Sequence, residues 1–121
     1  MEIRLDVISE EMAQREVAAL SRELSDVLAR RQDVESVKPV SGRAPDGAKG
    51  IGQVIGSFLV GLPVEAITGV LDIIKAIASR PGQPPFIIKI TRDTTEISFD
   101  PRKITPDEVA KLAKRLRPPD K

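Results

Sequence analysis

Residues 50–80 read GIGQVIGSFLVGLPVEAITGVLDIIKAIASR. From Gly50 to Val64 this stretch carries no charge, and its two halves differ in pattern. In the second half Glu65, Thr68, Asp72, Lys75 and Ser79 step by three, four, three and four, a narrow polar stripe. Ile67, Val70, Leu71, Ile74, Ile77 and Ala78 cover the facing side, as in the core helix of a globular domain. The first half is nearly apolar all round, with Gly52 and Gly56 spaced to let backbones approach closely. Pro63 does not fit deep inside an unbroken helix, so a kink or a second start is expected there. The stretch therefore reads as an apolar helical region over 50–80, in two pieces.

Outward from it, the pattern changes in both directions. Glu2 to Ile8 alternates, with Ile3, Leu5 and Val7 on one side and Glu2, Arg4 and Asp6 on the other, a half-buried strand. Ser9 offers a capping hydroxyl, and Ala13, Val17, Leu20, Leu24 and Val27 form the apolar stripe of a helix running to Arg30. Val34–Val40 reads as a second strand that ends or lies at an edge because Pro39 lacks a ladder donor. Residues 41–49 (SGRAPDGAK) form a loop. Beyond the helical region, FIIKIT (86–91) and TEISF (95–99) read as a hairpin within residues 85–100. Thr105-Pro106-Asp107-Glu108 is a capping box with proline at the first helical position, opening a helix over 105–117. The order β-α-β-α(α)-β-β-α predicts one α+β domain over residues 1–121: a four-stranded mixed sheet with helices mainly on one face.

Composition narrows the chemistry. The chain has 121 residues, 19 basic against 18 acidic, no Cys, no His, and three Phe as its only aromatics. Thiolate and imidazole metal sites, cysteine nucleophiles and histidine-based triads are excluded, and no metal or cofactor is expected. Net charge of +1 and the scarcity of stacking side chains argue against nucleic acid as partner. The seven basic and three acidic residues from position 101 onward read as a solvated helix face with cations at the favourable end. The acidic pairs Glu10-Glu11 and Asp107-Glu108 belong to first helical turns. The loop before Gly50 fails the P-loop pattern, since Ala48 separates Gly47 from Lys49, and Gly50-Ile51-Gly52 is not followed by a glycine at position 55. The N-terminus lacks a basic region followed by an apolar run, so a cytoplasmic location is expected. A non-enzymatic protein is the expectation.

The chain resembles the effector-associated constant component family of bacterial conflict systems. The resemblance rests on MEIRLDVI with its helix, VESVKPV, PDGAKGIG leading into VIGSFLVGLPVEAITGVLDIIKAI, the FIIKI and TEISF hairpin, and the closing helix. It implies a small α+β domain without catalytic residues that accompanies an effector, such as a trypsin-like or caspase-like peptidase, in antiviral defence. If a peptidase is the partner, Arg43, Lys49 and Asp46 are candidate cleavage positions in the loop before the apolar region. Gly52, Ile55, Gly56, Phe58, Leu59 and Leu62 are then a candidate interface, for a homo-oligomer or for a membrane entered only after activation. This second possibility is a protease-triggered pore-forming effector. The uncharged run of 15 residues falls short of the ~20 that span a bilayer as one helix.

Overall fold

A computed structural model of the protein describes residues 1–40 and 54–116. Strand β1 (Glu2–Ser9) keeps the alternation of its sequence, burying Ile3, Leu5 and Val7. Ser9 caps, but not a helix: its Oγ accepts from the backbone N–H groups of Glu11 (3.2 Å) and Met12 (3.1 Å) and donates to the Pro85 carbonyl (3.0 Å). The bend so fixed carries Met12 into the core, and helix α1 (Gln14–Ala29) begins only after it. There the Glu16 carboxylate reaches back to accept from the Ala13 N–H at 3.0 Å. Val17, Leu20, Leu24 and Leu28 form its buried stripe, so Leu28 takes the last inward position and Val27 packs only at the margin. Strand β2 (Ser36–Pro39) follows.

The helical expectation for the first part of 50–80 is overturned. Val54–Gly61 is a strand, β3, paired on one side with β1 and on the other with β2. Its residues alternate, with Phe58 and Val60 buried inward and Ser57 and Leu59 on the opposite face. Because both faces carry apolar residues and the strand is interior to the sheet, the period of two is hidden and the run reads as continuously apolar. Pro63 acts as the expected second start: a 3-10 turn (Val64–Ala66) leads into helix α2 (Ile67–Ala78). All six residues assigned above to its apolar side are buried.

Strands β4 (Ile87–Arg92) and β5 (Thr95–Phe99) form the expected hairpin. Asp93 opens the two-residue connection with φ 53°, the positive sign that hairpin turns of this length require at their first central position. Helix α3 (Pro106–Leu116) carries the predicted capping box, with Thr105 N–H donating to Glu108 Oε1 (3.1 Å) and Glu108 N–H donating to Thr105 Oγ1 (3.2 Å).

The sheet is five-stranded in the order β2-β3-β1-β4-β5, and every neighbouring pair is antiparallel. This corrects the four-stranded mixed sheet, and the reason is β3. By inserting between β1 and β2 it separates two strands that would otherwise lie parallel. The result is two interleaved split β-α-β units, β1-α1-β2 and β3-α2-β4, a connectivity termed ferredoxin-like, extended by β5 and α3. The inward residues of the strands and the buried residues of all three helices form a single apolar cluster, so the helices share one face of the sheet. Helix α1 sits close against β3 at Gly56, where a Cβ would lie 2.9 Å from the Ser21 Cβ.

Candidate functional site

The other face of the sheet has no described helix over it, and the strand register fixes what it presents. One row across β2, β3, β1, β4 and β5 holds Lys38, Leu59, Arg4, Thr91 and Glu96. The next holds Ser57, Asp6, Lys89 and Ser98. The third holds Ile8 and Ile87, with Ile55 at the register position beside Ile8. Polar rows therefore end on an apolar one.

Asp6 anchors the polar rows. Its side chain is only 9% exposed although it lies on the uncovered face, because Arg4 and Ser57 close over it. Arg4 Nε donates to Asp6 Oδ1 at 3.1 Å, Ser57 Oγ donates to the same oxygen, and an Arg4 terminal nitrogen reaches Ser57 Oγ at 3.5 Å. A carboxylate tied to two donors on neighbouring strands is a pin between β1 and β3. It ties the Arg4 guanidinium to Asp6 and Ser57 while leaving that side chain 48% exposed. Lys89 is paired with Glu96 across β4 and β5 at 3.5 Å. At the Met1 end Arg4, Leu59, Thr91 and Arg92 line a shallow depression. In the apolar row Ile87, 37% exposed, is the one large hydrophobic side chain exposed among the described residues. Fixed charges beside an apolar strip suit a protein partner, whose interface pairs an apolar centre with a polar surround.

Elsewhere polar contacts act as clasps between elements. Arg80, just after α2, holds Glu23 of α1 through two bonds of 2.6 and 2.9 Å, and this hydrogen bonding keeps the Glu23 carboxyl below its ordinary pKa. Arg31 grips Asp33 at 2.8 and 2.7 Å, lowering that carboxyl in the same way, and its guanidinium lies over Gly69 of α2. Lys75 Nζ donates to the Ile104 carbonyl, tying α2 to the approach of α3.

The residues singled out in sequence do not form one surface. Arg43, Asp46, Lys49 and Gly52 lie outside the described residues. Phe58 and Leu62 are buried in the core, Gly56 lies under α1, and Ile55 occupies a place in β3 beside Ile8. Leu59, half-buried, stands on the uncovered face, two positions along β3 from Ser57. The glycines expected to let an apolar helix approach its neighbours closely instead include Gly56 in a strand, where it admits helix α1. Release of 54–61 toward a membrane would break the pairing of β3 with both neighbours, and no described helix is long and apolar enough to cross one. Sequence reasoning passed over Arg4, Asp6, Ser57, Lys89 and Glu96. The alternation of β1 places Arg4 and Asp6 together on its polar side, but their partners on β3 and β4 depend on a strand order that local pattern does not carry.

No protein-family model matches the chain, and no curated protein or solved structure is found similar to it. The likeness to the effector-associated family stands on the residues quoted for it alone.

Proposed function

We propose that this protein is a non-enzymatic interaction component of a bacterial defence system, docking an effector protein on the uncovered face of its sheet. The effector is a trypsin-like or caspase-like peptidase on the family resemblance. The observation that carries the docking surface is the pinned Asp6-Arg4-Ser57 cluster bordered by Ile8 and Ile87. Such a surface is already ordered before a partner arrives, so little side-chain freedom is lost on binding. The sequence supports the non-enzymatic part by offering neither thiol nor imidazole.

The test is titration calorimetry between the full chain and the peptidase-type effector encoded beside it, with Ile87→Glu and Arg4→Glu as probes. Binding to the wild type, weakened at least about tenfold by either substitution while the fold persists by circular dichroism, is the expected result. A wild type that binds no encoded neighbour defeats the reading. Binding that neither substitution weakens moves the docking surface off this face.

A further inference from the structure

The two edges of the sheet differ in what their backbones offer. The Val40 N–H donates to the Ser57 carbonyl, and the Leu62 N–H donates to the Met1 carbonyl. In antiparallel ladders, residues that exchange hydrogen bonds with a neighbouring strand alternate with residues whose N–H and C=O point the opposite way. Carried across the register, these two bonds turn Thr95, Ile97 and Phe99 toward β4 and leave the backbone groups of Glu96 and Ser98 pointing off the β5 edge. Among the described residues none bonds to those four groups. At the other edge the outward positions are Val37 and Pro39, and Pro39 has no N–H to give.

We infer that β5 is the pairing edge for a second copy of this chain, joined antiparallel about a two-fold axis through Ile97. The register follows from charge. Centred on Ile97, Glu96 faces Ser98 of the other copy, and the two pairs exchange four backbone hydrogen bonds. Centred on Glu96, two carboxylates would be directly opposed. Centred on Ser98, Glu96 would meet Asp100. Like charges directly opposite destabilise a ladder, so of these three registers only the Ile97-centred one is free of conflict. The same two-fold runs α3 and its mate in opposite directions. Their acidic first turns (Asp107, Glu108) and basic last turns (Lys114, Arg115) are then complementary in sense. Pairing at this edge leaves the uncovered face of the sheet open on both copies, so it is independent of the effector-docking surface.

Sedimentation equilibrium over a wide concentration range tests it. The wild type is expected at twice its 13.2 kDa mass. Ser98→Glu sets a carboxylate against Glu96 of the partner twice over and should raise the dissociation constant about tenfold or more. Adding Glu96→Lys to Ser98→Glu replaces both repulsions with attraction and should restore the dimer. Amide hydrogen exchange on the wild type gives a readout without substitution, with protection expected at Glu96 and Ser98. A wild type that stays monomeric overturns the inference. So does a dimer indifferent to Ser98→Glu, a double variant that fails to recover, or rapid exchange at both amides in the dimer.

Discussion

Within β1, neighbouring residues one position apart belong to different environments. Ile3, Leu5 and Val7 are almost wholly excluded from water under the helices, whereas Arg4, Asp6 and Ile8 lie on the face that no described helix covers. β3 repeats the contrast with Phe58 and Val60 against Ser57 and Leu59. The inward set is held by area removed from water and by close packing. The polar members of the outward set, Arg4, Asp6 and Ser57, are held by hydrogen bonds whose geometry the strands impose. One backbone thus supports both stability and recognition, and substitutions on its two sides should differ in kind as well as in size.

The sharpest test of that contrast pairs two adjacent positions. Phe58→Ala should cost about 3–5 kcal/mol by urea denaturation, the range for truncating a buried aromatic. Leu59→Ala, on the half-buried side, should cost under half as much, and an equal loss would erase the distinction between the faces. Gly56→Ala should destabilise by about 1–3 kcal/mol, because its new methyl group meets Ser21 and forces α1 away from β3. Asp6→Ala should cost about 1–3 kcal/mol, since the Ser57 hydroxyl loses its acceptor. A neutral result would show that the outward set contributes nothing to folding.

Smaller effects follow at the surface. The Glu23 carboxyl has a lowered pKa in the fold, so its contribution is present above the unfolded pKa and is lost as the pH falls through the folded one. Because the Arg80–Glu23 pair is about two-fifths exposed, it is worth at most about 1 kcal/mol near neutrality. Arg80→Ala should therefore lower stability slightly at neutral pH, by an amount that shrinks as the pH falls through the folded-state pKa of Glu23, measured as paired urea midpoints. Ile87→Ser should change folding stability by less than about 0.5 kcal/mol while weakening binding of the effector.

The elements with their own punctuation were legible from local sequence. β1 alternates, α2 has a polar stripe of helical spacing, and α3 opens on Thr105-Pro106-Asp107-Glu108, each matching the observed element. β3 was not legible. Its outward Ser57 is a single polar mark among apolar residues, too little to show a period of two against the helix that follows it. What makes Val54–Gly61 a strand is the pair of strands on either side, and that information is tertiary. The polar rows failed for the same reason: Asp6 and Ser57 are separated by 51 positions, and only the insertion of β3 beside β1 brings them together. Ser9 is a capping hydroxyl as its place in the sequence suggests, but it caps the turn that buries Met12, a feature local pattern does not separate from the helix after it.

Pro39 has a consequence for how far such a sheet can grow. Assembly through β5 consumes the one edge with a full set of donors, and each outer margin of the joined sheet then presents a proline ring and a four-residue strand. Among the described residues a third copy would find no equivalent foothold, so an assembly paired through β5 would close at two copies instead of propagating into a fibril.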